Sequence, residues 1–139
     1  MKTHGLLFLA GLWVCSGCYK DDVDIAALNN NPFDPQYTGA PVFTVEGTEL
    51  VFIDAGSASY YVQDIHIRVH EELFLAPAAY SVAVQDLESG LGSEATPAAE
   101  PGAWLYRRPP AIGEEVCIEL RLMNSTSTAR VETYCVTLE

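Results

Sequence analysis

Asp64, His66, Arg68 and His70, followed directly by Glu71 and Glu72, form the densest run of titratable side chains in this 139-residue chain. Imidazole and carboxylate groups bind metals and move protons, so their spacing decides what they can do. On a strand His66 and His70 stand about 13 Å apart, too far to share one ion. Asp64 and His66 together supply two ligands, and a third would have to come from elsewhere in the chain. The run reads as a polar strand face carrying opposite charges, and no metal is expected. Trp104 and Tyr106, followed by Arg107-Arg108-Pro109-Pro110, are a second constellation. Aromatic rings and guanidinium groups dominate binding hot spots, so Trp104, Tyr106, Arg107 and Arg108 are the candidate contacts for a sugar or peptide. Burial of Trp104 in a core would leave Arg107 and Arg108 as the basic contact point. The sequence holds no Gly-x-Ser-x-Gly, no His-Glu-x-x-His, no phosphate-cradling glycine loop and no EF-hand spacing.

A third candidate is Asp54 in Phe52-Ile53-Asp54-Ala55-Gly56-Ser57. The stretch resembles the Asp-Thr/Ser-Gly loop of retroviral-type aspartic proteases, small all-β chains that dimerise so that two carboxylates share a proton. Ala111-Ile112-Gly113 falls roughly where that family has its hydrophobic-hydrophobic-Gly element. Ala55 stands where the family has the hydroxyl that braces the paired loops, and residues 116–122 read as strand where the family has a helix. A strand ending in Asp-Ala-Gly is also an ordinary turn.

The N-terminus carries the most informative pattern. Lys2 and an apolar run over residues 5–14 have the length of a signal-peptide core, about half of a membrane span. Val14-Cys15-Ser16-Gly17-Cys18 follows. A pair of small residues before a cysteine resembles the lipobox of bacterial lipoproteins, although Cys15 occupies a position where leucine is preferred. The resemblance implies removal of residues 1–17 and acylation of Cys18, the new N-terminus. Tyr19-Lys20-Asp21-Asp22 resembles the acidic signals that carry some lipoproteins to the cell surface, and serves equally as a solvated spacer. The expected location is the outer membrane of a cell envelope, facing either the periplasm or the outside.

The formal charge is −12, and losing residues 1–17 removes Lys2 but no acid. With Arg107 and Arg108 as the only basic neighbours, the chain lacks the cationic cluster that phosphate backbones require, which excludes DNA and RNA as partners. An acidic body is also repelled by anionic headgroups. Attachment must then come from acyl chains, at about 0.8 kcal/mol per buried methylene. If Cys15 leaves with the signal and Cys18 takes lipid, Cys117 and Cys135 remain as the single possible disulfide, favoured by an exported location.

The elements that must position these residues follow from periodicity. Residues 18–40 hold Asp21, Asp22, Asp24, three consecutive asparagines and two prolines, and read as a tether after the lipidated cysteine. Stretched out, such a segment spans roughly 70 Å at about 3.3 Å per residue. Phe33 and Tyr37 are too apolar for a pure spacer and are expected to dock on the domain edge. From residue 41 to residue 139 the pattern has period two. Tyr61, Ile65, Ile67 and Val69 alternate with Asp64, His66, Arg68 and His70; Tyr80, Val82 and Val84 make a second row; Val116, Ile118, Leu120 and Leu122 make the longest. Shorter strands are expected over residues 42–45, 49–54 and 103–106, and residues 87–102 read as a long loop. Asn124-Ser125-Thr126-Ser127-Thr128 reads as a hairpin turn centred near Thr126, from which Cys117 and Cys135 are equidistant. That register sets the two cysteines opposite each other on the outer face, and pairs Val116 with Val136 and Ile118 with Tyr134.

About seven strands in one domain of this length argue for an all-β, antiparallel two-sheet sandwich, resembling immunoglobulin and fibronectin type III modules. The function expected is a lipid-anchored, non-catalytic binding module without cofactor, whose partner is an envelope protein or an extracellular polymer. The alternative is a dimeric aspartic protease using Asp54.

Overall fold

Alternating burial along each strand builds the protein, which is described by a computed structural model over residues 30–125 and 127–139. Cys15, Cys18, the signal segment, residues 19–29 and Thr126 lie outside the described residues. Eight strands form: β1 (Phe43–Asp54), β2 (Ser59–Val69), β3 (Ser81–Asp86), β4 (Gly92–Glu94), β5 (Thr96–Pro97), β6 (Ala103–Arg108), β7 (Glu115–Met123) and β8 (Glu132–Thr137). They make two four-stranded sheets, ordered β1-β2-β6-β5 and β4-β3-β7-β8, with every pairing antiparallel. The sheets pack face to face as a sandwich, and the rows Ile65, Ile67, Val69 from one and Val82, Val84, Val116, Ile118, Leu120, Leu122 from the other are buried between them. Each such side chain contributes about 1.5–3 kcal/mol relative to exposure.

Two features differ from the sequence reading. Residues 42–45 and 49–54 belong to one run of extended chain, because the Glu46-Gly47 break is a bulge between Val45 and Gly47 that leaves the pairing with β2 intact. A bulge bends a strand without ending it. Residues 87–102 are no long loop but carry β4 and β5, and the chain passes from one sheet to the other at Ala95, which is buried and donates its N–H to Val82 O at 2.8 Å. Small residues and a proline hide such short edge strands from propensity. The docking expected of Phe33 and Tyr37 on the body is seen. Asn31 and Asp34 each accept a backbone N–H two residues on, which curls residues 31–37 into turns and drives Phe33 and Tyr37 into the core.

The β7–β8 hairpin has the register derived from the spacing. Val116 pairs with Val136, Cys117 with Cys135 and Ile118 with Tyr134, and the Cys117–Cys135 disulfide bridges Cα atoms 4.0 Å apart. Val116 and Ile118 are buried while Cys135 is exposed, so the bridge lies on the outer face.

Strand directions give the sandwich two distinct ends. The residues before β1, the β2–β3 connection and the β7–β8 turn gather at the arm end, where Trp104 Nε1 donates to Tyr80 Oη across the sheets at 3.3 Å. The β1–β2 turn, the β3–β4 turn and the β6–β7 connection gather at the opposite, hairpin end, where Arg108 meets Asp86.

Candidate functional site

Strand β6 decides the fate of the candidate ligand contacts, because alternation sends Trp104, Tyr106 and Arg108 inward and Arg107 outward. The structure therefore does not bring the four together as one surface. Trp104 packs against Tyr80 with ring centroids 5.4 Å apart, and Phe74 and Phe33 continue the cluster. Tyr80 Oη donates in turn to Glu71 Oε1, and burial together with that carboxylate pushes the phenol up to about 12. On the outer face the Arg107 guanidinium makes a two-pronged contact with Asp64, 2.7 Å on each arm. Asp64 is buried although its strand position faces outward, since the half-exposed Arg107 side chain covers it.

Arg108 forms the least expected feature. Its Nε lies 3.1 Å from Asp86 Oδ2, with side chains 7% and 2% exposed. Asp86 Oδ1 accepts the Glu88 and Ser89 N–H groups at 3.0 Å each, and Arg108 Nη2 donates to Glu88 Oε2 at 3.1 Å. The Nε contact is one of charge and not of hydrogen-bond alignment, because neither Nε nor Nη1 has an aligned acceptor. Gln63, paired with Arg108 across β2 and β6, donates through Nε2 to Glu139 O at 3.1 Å while its Oε1 accepts nothing. Burial, and then the Asp86 charge, raise the Tyr106 phenol above its ordinary value. The sequence held a signal for this pair. Extending the inward row Val82, Val84 by one step reaches Asp86, and extending Trp104, Tyr106 by one step reaches Arg108, so an acid and a base occupy facing core rows.

Asp54 sits exposed at the β1–β2 turn, where its Oδ1 accepts the Gly56 N–H at 3.0 Å and the Ser59 hydroxyl at 3.3 Å. Gly56 adopts φ of 76°, open to glycine without strain. The titratable run on β2 is dispersed among separate partners: His66 faces Glu49 at 3.5 Å, Arg68 takes Glu46 and Glu100, and His70 lies between Thr44 and Glu72. Among the described residues no group of three His, Cys, Asp or Glu is placed to hold a metal ion.

At the arm end a clasp that sequence reasoning missed ties the N-terminal residues to β8. Arg130 Nη1 donates to Tyr37 O at 2.8 Å, and its guanidinium lies 4.9 Å from the Tyr37 ring centroid. Glu132 accepts the Val42 and Phe43 N–H groups and the Tyr134 hydroxyl, and pairs with Arg130 at 2.8 Å. Desolvation pushes the Glu132 carboxyl up, but the bonds from Val42, Arg130, Tyr134 and Phe43 outweigh it and hold the group below the ordinary carboxylate value. The same desolvation and the Glu132 charge raise the Tyr134 phenol. Such partners are about ninety residues apart, so no local pattern announces them.

Among the open grooves of the described residues, two border the strands above. One of about 450 Å³ runs over Tyr80 and Trp104 between residues 78–80 and 97–103; the other, about 280 Å³, lies on the outer face of β3 and β7 beside Ala83, Gly92 and Arg121. Comparison with known proteins finds no matching family model, no matching curated protein and no matching solved structure.

Proposed function

We propose that the chain is a lipid-anchored module of a bacterial cell envelope, held at the outer membrane by acyl chains on Cys18, and that it works by binding. The address rests on Lys2, the apolar residues 5–14 and the Val14-Cys15-Ser16-Gly17-Cys18 stretch. An acidic body needs such an anchor, since it has no basic face to hold an anionic bilayer. Within the expected tether, residues 31–37 are curled onto the body by turns.

The observation that carries the binding reading is how the charged groups are used. Asp64, Asp86 and Glu132 each hold an arginine, and Asp54 holds a turn, so these carboxylates serve the architecture. General acid–base work needs a proton-transfer group poised towards a substrate position. The strand order supports the likeness to immunoglobulin-type modules: first, second, sixth and fifth strands in one sheet face the third, seventh and eighth with one added edge strand. The disulfide differs, as it joins neighbours within one sheet.

Labelled palmitate should enter the wild-type chain and fail to enter Cys18→Ala, which should leave the membrane fraction. Unchanged membrane retention of Cys18→Ala would remove the anchor from this account.

A further inference from the structure

Phe52, Tyr60, Tyr61, Leu87, Leu91 and Ile112 are all exposed, and all belong to the hairpin end. The first three flank the β1–β2 turn, the two leucines bound the β3–β4 turn, and Ile112 lies in the β6–β7 connection. The β3–β4 turn is tied from beneath to the ends of β6 and β7. Arg108 at the end of β6 reaches Asp86 and Glu88, and the Leu87 N–H donates to Cys117 O at 3.0 Å. Among the described residues the other large apolar side chains left exposed are Leu75 and Val131, both at the arm end.

The β1–β2 ribbon also outruns its sheet. The last rung between β2 and β6 is Gln63 with Arg108, so residues 51–54 and 59–62 continue as two strands alone. Phe52 stands opposite Tyr61 with ring centroids 5.1 Å apart. Alternation puts Tyr61 on the face that carries Gln63 and Ile65 towards the opposite sheet, and beyond that last rung both rings stay about half exposed. Isolated ribbons are marginal in water, and aromatic rings held at the tip of one gain most from a covering surface.

Charge selects the occupant. Asp54, Glu114 and Glu115 are exposed around this end and Glu88 is paired with Arg108, whereas Arg107 is engaged by Asp64 and Arg108 is buried on Asp86. A second copy would set these acids against themselves, and an anionic bilayer would be repelled. The sequence upstream of residue 30 carries Asp21, Asp22 and Asp24, further acids that would be repelled in the same way. We propose that the hairpin end docks a protein partner presenting an apolar surface bordered by lysine or arginine. This deepens the binding-module reading and rests on it.

The test is photo-crosslinking in cells expressing the full chain, with benzoylphenylalanine in place of Phe52 or Leu91, and in place of Leu75 at the arm end as the comparison. Expected is one protein adduct from positions 52 and 91, weak from 75, whose crosslinked peptide, identified by mass spectrometry, is apolar with Lys or Arg beside it. Its yield from position 91 should fall about tenfold in a Tyr61→Ser background, and as salt rises. Should that variant melt early, Ile112→Ser, on a separate loop, takes its place. A dimer of the chain, a lipid adduct, or a partner with an acidic surface overturns the proposal. An adduct from position 75 alone overturns it while leaving the binding module standing, and no adduct from any position counts against both.

Discussion

Asp86 and Arg108 are the residues on which local chemistry and stability meet most directly. Each is buried, and each covers the other's charge. Arg108→Ala leaves Asp86 buried without its counter-ion and should cost about 3–5 kcal/mol in urea denaturation. Replacing both by leucine should recover only part of that loss, because the desolvation of two charges disappears but the Glu88 and Ser89 N–H groups lose their acceptor. Asp54 makes the opposite case. Asp54→Asn keeps an oxygen for the Gly56 N–H, so stability should stay within about 0.5 kcal/mol. Any peptidase activity lost with that change would restore the aspartic-protease alternative. Gly102 has φ of 72°, and a Cβ there would lie 2.8 Å from Val69 O, a backbone atom that cannot yield. Gly102→Ala should therefore lower stability by about 1–3 kcal/mol on thermal melting.

At the scale of elements, the β7–β8 hairpin and the arm clasp make separable contributions. Reducing the Cys117–Cys135 bridge should cost about 3 kcal/mol in the chain-entropy account, yet leave the far-ultraviolet spectrum in place, because the bridge lies outside the core rows. The clasp responds to pH instead. Glu132 has its carboxyl held below the ordinary 4.5 in the folded protein, so its contribution is complete above that value and is lost as pH falls through the folded one. The stability gap between wild type and Glu132→Gln should be about 2 kcal/mol at neutral pH and close on acidification below pH about 4. A gap that widened in acid would reverse the assignment. Period-two alternation made most strands legible from sequence, and the symmetric placing of Cys117 and Cys135 made the hairpin register legible too. Strands β4 and β5 were not, since Gly92-Ser93-Glu94 and Thr96-Pro97 are too short to carry a pattern that stands out from loop.

For the whole molecule, polarity from one end to the other matters most. Residues 31–42 are part of the body at the arm end, so a chain beginning at residue 41 loses Phe33 and Tyr37 from the core and should be at least about 3 kcal/mol less stable than one beginning at residue 30. Equal stabilities would show that the two rings only rest on the surface. The hairpin end carries the exposed aromatic and aliphatic residues, and it points away from the end where the chain leads back towards Cys18.

Composition, alternation and cysteine spacing by themselves determined the all-β class, the single core, the acidic surface and the Cys117–Cys135 pairing. Each of these follows from properties local in the chain: which neighbour alternates with which, and how far two residues stand from one turn. What only the tertiary structure decided is where facing rows meet. Alternation turned Trp104, Tyr106 and Arg108 to one side and Arg107 to the other, but the pairing of Arg108 with Asp86 on the opposite sheet and of Arg107 with Asp64 on the neighbouring strand needed the fold. Likewise Glu132 meets Val42, and Phe52 and Tyr61 overhang the last rung, because β6 stops at Arg108. Partnerships between residues far apart in sequence depend on sheet order and strand length, and alternation within one strand contains neither.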